Sequence, residues 1–140
     1  MKPRLLLVDD EEMYLEYLSK RLINRQYEVT KCLTGEEALE KIGGCDFDVV
    51  ILDVLLPGID GLETLREINK RSPLTEVILL TGHASMESGI EGMKLGAFDY
   101  LRKPCETEEL VTKINEACNR KGKQQERIRL ASQRYDTEDS

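Results

Sequence analysis

The chain has 140 residues, of which 40% are hydrophobic, and a formal net charge of −7. This length fits one domain that can bury its core without disulfides or a structural metal, and none of the four cysteines shows the paired spacing of a zinc site. The acidic balance argues against a direct nucleic-acid partner, and no run approaches the roughly 18 apolar residues that span a bilayer, so we expect a cytoplasmic protein without membrane contacts.

Apolar runs of strand length alternate with amphipathic helical patterns, which predicts βαβ units and a parallel sheet. The predicted strands cover residues 4–8, 27–32, 47–52, 76–80 and 98–101. The predicted helices cover residues 12–24, 36–42, 62–70 and 86–95, and a last helix begins at about residue 108. Helix N-caps are expected at Thr34 and Asp60, each followed three residues later by Glu. The second strand is the most polar, as an edge strand would be.

Carboxylates follow two of the apolar runs. Asp9 and Asp10 come directly after the first predicted strand, and Asp53 comes directly after the third. In an open α/β sheet the ligand site lies just beyond the carboxyl ends of the strands, so these side chains should converge. Three acids at one place repel one another until a cation joins them, and Mg2+ is commonly held by a few carboxylates. The sequence therefore predicts an acidic metal site with a carboxylate nucleophile.

Two other strands also deliver polar residues to this edge. Thr81 ends the fourth apolar run, and Lys103 follows the fifth. A carboxylate nucleophile, a metal-binding acid pair, a hydroxyl donor and an ammonium group suit phosphoryl transfer, whose transition state is stabilised by positioning and positive charge. The pattern favours phosphoryl transfer over other chemistry at this edge.

Three segments carry a family resemblance. Residues 53–61 read DVLLPGIDG, residues 81–84 read TGHA, and residues 96–104 read GAFDYLRKP. Together with Asp9 and Asp10, they closely resemble the receiver domain of bacterial two-component response regulators over about residues 4–120. The resemblance implies a flavodoxin-like α/β fold: a doubly wound five-stranded parallel sheet of strand order 2-1-3-4-5, with helices on both faces.

The resemblance assigns a phosphoacceptor and a metal site. Asp53 would accept a phosphoryl group from a phosphohistidine of a sensor histidine kinase or phosphotransfer protein, forming an acyl phosphate. Asp10, Asp53 and the backbone carbonyl of Leu55 would bind Mg2+ directly, and Asp9 would act through a water. Mg2+ is therefore the expected cofactor.

The resemblance also assigns a switch. Lys103 would pair with the phosphoryl oxygens, and Thr81 would hydrogen-bond to one of them. Tyr100 would be the switch aromatic, which rotates inward after Thr81 moves. The bond before Pro104 would be cis, which an X-Pro bond tolerates. The switched surface, formed by the fourth helix, the fifth strand and the last helix, would contact a downstream effector protein or domain, or a second copy of the chain.

Departures from the family pattern bear on the lifetime of the modified state. Leu55 supplies no polar side chain to orient an attacking water, and His83 is not the acid or amide found in fast-cycling members. We therefore expect the chain to assist its own phosphorylation and to lose the phosphoryl group slowly. The simpler interpretation of His83 is an exposed loop imidazole without a role. Gly89 and Gly92 each cost a helix interior about 1 kcal/mol, which favours a switch in the fourth helix.

Other functions share parts of this pattern. An aspartyl phosphatase would need a second acid two residues after the nucleophile, where Leu55 stands, so multi-turnover enzymatic hydrolysis is not expected. A flavin carrier would need a hydroxyl- and glycine-rich loop after the first strand, but the loop over residues 9–12 is acidic. A receiver fold used only as a phosphorylation-independent scaffold remains an alternative.

The C-terminal part differs in composition. Residues 119–134 contain six basic residues and one acid. We therefore divide the chain into a receiver domain over residues 1–121 and a basic helical extension or tail over residues 122–140. One interpretation is a solvated helix that frays after Gly122, and the other is a docking or linker segment. The chain would be a stand-alone receiver or the receiver part of a longer regulator.

Overall fold

Five parallel strands and five helices alternate along the part of the chain that the computed structural model describes, residues 2–82 and 85–138. The strands are β1 (Arg4–Val8), β2 (Glu28–Cys32), β3 (Val49–Leu52), β4 (Glu76–Thr81) and β5 (Asp99–Arg102). The helices are α1 (Glu12–Asn24), α2 (Gly35–Gly44), α3 (Gly61–Arg71), α4 (Met86–Lys94) and α5 (Thr107–Glu138). The sheet order is β2-β1-β3-β4-β5, with every neighbouring pair parallel, which confirms the predicted doubly wound topology.

Both faces of the central strands are covered, which explains why their sequences are continuously apolar. Successive side chains point to opposite faces, so Leu6 and Val8 of β1 join the core under α2 and α3, whereas Leu5 and Leu7 join the core under α1 and α5. β2 lies at one edge and is the more exposed strand, as its polar sequence predicted. The sheet therefore presents the ends of β1, β3, β4 and β5 beside one another.

The helix N-caps follow the sequence signals. The Glu37 backbone N–H donates to Thr34 Oγ1 at 3.1 Å, and the Glu63 backbone N–H donates to Asp60 Oδ1 at 2.8 Å. These bonds satisfy donors that a helix start leaves unpaired, and they confirm both predicted caps. The start of α4 has a capping box that the sequence analysis did not identify, in which Ser85 and Ser88 bond reciprocally.

The strand bounds differ slightly from the prediction. β3 begins at Val49 and not at Phe47, although the Asp48 backbone still bonds to Arg4 and Glu76. The Asp48 carboxylate also accepts from the backbone N–H of Arg4 at 2.8 Å and from Lys121 at 3.1 Å. β4 runs one residue further, to Thr81.

The last helix is longer than expected. α5 runs without a break to Glu138, so the predicted fraying after Gly122 was wrong. One Gly costs a helix about 1 kcal/mol, and the Lys, Gln, Glu and Arg residues around it are good helix formers. Arg129 also pairs with Glu126 one turn earlier, with nitrogen–oxygen distances of 2.6 and 3.1 Å.

The domain holds α5 through a buried lysine. The Lys121 ammonium lies 3.1 Å from Asp48 Oδ1 and 3.3 Å from Asp46 Oδ2, and only 4% of its side chain is exposed. This contact fixes the helix at the edge of the sheet opposite to the carboxyl ends of the strands. Although α5 has the length to cross a membrane, no helix among the described residues is apolar enough to do so.

Candidate phosphoryl-transfer site

The polar residues predicted at the strand ends lie together at one edge of the sheet. Asp9 follows β1, Asp53 follows β3, Thr81 ends β4 and Lys103 follows β5. Asp9, Asp53 and Thr81 are 5%, 2% and 0% exposed, so these three residues of the site are buried. The backbone N–H of Lys103 donates to the carbonyl of Thr81 at 2.9 Å, which ties the ends of β4 and β5 together.

Three carboxylates form an acidic cluster. One oxygen from each of Asp9, Asp10 and Asp53 lies within 4.8 Å of the others, and Asp10 is the exposed member. The backbone N–H groups of Glu11 and Leu55 donate to Asp9 Oδ1 at 3.0 Å and to Asp53 Oδ1 at 3.3 Å, which orients both buried carboxylates. Hard oxygen donors at this spacing suit a divalent cation such as Mg2+ or Ca2+.

The Lys103 ammonium lies inside this acidic cluster. Its Nζ is 2.6 Å from Asp9 Oδ2, 3.5 Å from Asp53 Oδ2 and 3.6 Å from Glu11 Oε1. Burial alone would lower the pKa of Lys103, but the hydrogen bond to Asp9 and the nearby acidic charges outweigh it and raise the pKa. Burial raises the pKa of Asp9, and its bond to Lys103 offsets only part of that effect. The lysine therefore stays charged and supplies positive charge beside Asp53.

The loop after Asp53 depends on close backbone packing. A Cβ at Gly61 would collide with the backbone of Asp53 and Val54, and the Gly61 N–H donates to the Val54 carbonyl at 2.7 Å. The loop between them also contains Gly58, with φ of +74°, a backbone conformation that favours glycine. These glycines let the start of α3 support the segment that carries Asp53. The Leu55 side chain is exposed at 51% and points no polar group at the site.

Tyr100 is held against the start of α4. Its hydroxyl lies 3.1 Å from Ser88 Oγ and donates to the Ser85 carbonyl at 3.4 Å. A Cβ at Gly89 would lie 3.4 Å from the Tyr100 ring, so the ring packs closely on the helix at this glycine. The Lys103–Pro104 peptide bond is cis, as the resemblance implied. His83 and the Ala84 that follows it lie outside the described residues.

One aromatic neighbour of the site was not predicted from the sequence. The Tyr14 ring lies beneath the Lys103 ammonium, with Nζ 4.3 Å from the ring centroid. Burial raises the pKa of Tyr14 to about 12, so its phenol stays neutral at ordinary pH. Its position five residues after Asp9, in the first turn of α1, could have suggested proximity, but the contact depends on how α1 is rotated against the sheet.

Comparison with known proteins identifies the family. The model of the response regulator receiver domain matches residues 5–115. The uncharacterized transcriptional regulatory protein YkoG of Bacillus subtilis is 39% identical over 127 residues, which make up 91% of this chain and 56% of YkoG. The chain spans about half the length of the first curated relatives that it matches.

Solved structures agree with the family. A CheY-like response regulator receiver domain protein from Methanospirillum hungatei is 32% identical, with a TM-score of 0.85, over 89% of this chain and 99% of that chain. A response regulator protein from Burkholderia pseudomallei, solved with a phosphorylated aspartic acid and a calcium ion, is 27% identical, with a TM-score of 0.78, over 88% of this chain and 73% of that chain. This chain belongs to the receiver domains of two-component response regulators.

Proposed function

We propose that Asp53 is the phosphoacceptor of this receiver domain. The observation that carries the proposal is the position of Asp53 at the end of β3, 2% exposed, between the acids Asp9 and Asp10 and the ammonium of Lys103. Its carboxylate is oriented by the backbone N–H of Leu55. The phosphorylated aspartic acid in the Burkholderia pseudomallei relative supports the same chemistry here.

The reaction is a transfer from nitrogen to oxygen. An Asp53 carboxylate oxygen attacks the phosphorus of a phosphohistidine, the phosphorus–oxygen bond forms, and the phosphorus–nitrogen bond breaks. The imidazole leaves and takes up a proton, while Asp53 becomes an acyl phosphate. Lys103 places its positive charge 3.5 Å from Asp53 Oδ2, where it would pair with the equatorial oxygens of the transferred group.

The acidic cluster fits Mg2+. Asp9, Asp10, Asp53 and the backbone carbonyl of Leu55 would hold the ion, all with the oxygen donors that Mg2+ prefers. The bound ion would supply positive charge that offsets the repulsion between three carboxylates and an incoming phosphoryl group. The Burkholderia pseudomallei relative was solved with a calcium ion, which supports the binding of divalent cations by this family.

Thr81 and Tyr100 would transmit the phosphorylation of Asp53 to the surface of the protein. Thr81 is fully buried at the end of β4, next to β5, which carries Tyr100. When Thr81 bonds a phosphoryl oxygen, Tyr100 would leave the start of α4 and turn inward. This movement would shift a pre-existing equilibrium from the unmodified toward the modified conformation. Met86, Ile90 and Met93 on α4 are exposed at 82%, 50% and 47%, so the switch would alter an apolar surface.

The partners follow from this arrangement. A sensor histidine kinase or phosphotransfer protein would supply the phosphoryl group in the cytoplasm, and a downstream effector protein or domain would bind the surface of α4, β5 and α5. The same surface would serve a homodimer. The basic extension over residues 122–140 would act as a docking or linker segment. The chain would not be a multi-turnover enzyme, because Leu55 offers no group to activate water.

Intact-mass spectrometry tests the proposal. The protein is incubated with Mg2+ and acetyl phosphate beside Asp53→Asn and the control Asp46→Asn, whose side chain lies at the opposite edge of the sheet. We expect one added phosphoryl group in the wild type and in the control, and none in Asp53→Asn. No adduct in the wild type would contradict the proposal and favour the scaffold alternative.

A further inference from the structure

We propose that Tyr14 is a positioning residue, which holds the Lys103 ammonium between Asp9 and Asp53 through the face of its ring. The inference rests on the proposed function, because it concerns the lysine that would contact the phosphoryl group. It adds a residue of α1 to a site otherwise built from the ends of the strands. Its basis is the 4.3 Å distance from Lys103 Nζ to the Tyr14 ring centroid.

A lysine at this place needs a restraint. Its four-carbon side chain is flexible, and three carboxylates compete for its ammonium: Asp9 at 2.6 Å, Asp53 at 3.5 Å and Glu11 at 3.6 Å. Glu11 is largely exposed, with 58% of its side chain accessible, so pairing with it would draw the ammonium toward solvent and away from Asp53. A contact on the inner side of the ammonium would add to the attraction of Asp9 and strengthen the preference for the inner position.

The Tyr14 ring supplies that preference. The negative face of an aromatic ring attracts a cation within about 6 Å of its centroid, and the attraction is stronger where both groups are desolvated. Only 10% of the Lys103 side chain is exposed, and Tyr14 is half-buried.

A second aromatic ring lies near Tyr14 on α1. The Tyr17 ring lies one turn along the helix, with a centroid distance of 6.3 Å to Tyr14, and the Arg21 guanidinium lies over Tyr17 at 4.7 Å. Tyr17 and Arg21 do not belong to the cluster of charged groups around Lys103. Tyr17→Leu is therefore a matched control, because it removes an aromatic ring from the same helix without removing the ring under the ammonium.

The test compares Tyr14→Leu, Tyr14→Phe and Tyr17→Leu by their affinity for beryllofluoride with Mg2+. We expect Tyr14→Leu to bind about 5- to 30-fold more weakly, the range for a desolvated cation–ring contact of one to two kcal/mol. Tyr14→Phe and Tyr17→Leu should retain the wild-type affinity. In a Lys103→Met background, Tyr14→Leu should cause no further loss. Equal affinity in Tyr14→Leu, or an equal loss in the Lys103→Met background, would overturn the inference.

Two further measurements separate positioning from packing. Replacing Tyr14 by phenylalanines of increasing ring fluorination keeps the shape but weakens the negative ring face, so affinity should fall stepwise; a flat series would overturn the inference. In the unmodified protein, the ammonium resonance of Lys103 should shift upfield in the wild type and in Tyr14→Phe, but not in Tyr14→Leu. This signal needs no phosphoryl group, so it tests the contact between Tyr14 and Lys103 by itself. If the wild type failed to bind beryllofluoride, the proposed function would be contradicted, but the resonance would still test the contact.

Discussion

Ser88→Ala should make the domain easier to activate. The Ser88 hydroxyl lies 3.1 Å from the Tyr100 hydroxyl and helps to hold it at the start of α4. An inward Tyr100 would lose this bond, so the bond stabilises only the unmodified conformation. Removing it should shift the conformational equilibrium toward the modified one before any phosphoryl group arrives.

The size of the shift follows from one hydrogen bond. A neutral hydroxyl–hydroxyl bond contributes about 1 kcal/mol net, which is about a fivefold change in an equilibrium constant. While the modified conformation is the minor state, the apparent affinity for beryllofluoride rises in proportion to its population. We therefore expect Ser88→Ala to bind beryllofluoride about fivefold more tightly in the presence of Mg2+.

The control must account for the second role of Ser88. Its side chain also belongs to the capping box, where it accepts from the Ser85 backbone N–H at 3.4 Å. Loss of the cap alone would weaken α4 whatever the tyrosine does. The titration is therefore repeated in Tyr100→Phe, which removes only the hydroxyl. No gain in Ser88→Ala, or the same gain in both backgrounds, would refute the reasoning.

Three further predictions concern the support of the site and its lifetime. Gly61→Ala should lower both the melting temperature and the Mg2+ affinity, because the added Cβ collides with the backbone that carries the nucleophile. Gly43→Ala, in the open part of α2, should stabilise the folded protein by up to about 1 kcal/mol. Equal melting temperatures for the two variants would contradict this prediction. Lys121→Met should cost about 1–3 kcal/mol in urea unfolding, because it removes the ammonium that pairs with the partly buried Asp48 carboxylate. The exposed control Lys123→Met should cost almost nothing, and similar losses in the two variants would argue against the buried pairing. Leu55→Asn should speed phosphate release from the modified protein by placing an amide beside the nucleophile, and an unchanged time course would show that this position does not limit hydrolysis.

The sequence predicted the sheet and its edge because both depend on short-range patterns. Strands buried on both faces must be apolar throughout, so Asp9, Asp53 and Lys103 stood out where the apolar runs ended. The topology itself came from the family resemblance, and the structure agrees with it. The caps at Thr34 and Asp60 were predictable because a side chain and a backbone donor three residues apart make them.

The remaining features depend on packing between elements. Tyr14 meets Lys103 across 89 positions of the chain, and no local pattern reports that contact. The bond between Ser88 and Tyr100 likewise depends on how α4 lies against β5. Gly122 was a local stop signal, but strong helix formers on both sides and the anchor at Lys121 outweighed it.

Peptide mapping tests the central claim most directly. The protein is phosphorylated with acetyl phosphate and Mg2+, reduced with borohydride to convert an acyl phosphate into homoserine, digested, and sequenced by tandem mass spectrometry. We predict homoserine at Asp53 and at no other aspartate, with no conversion when Mg2+ is chelated. Homoserine at Asp9 or Asp10, or an unmodified Asp53 in protein that carries a phosphoryl group, would contradict the account.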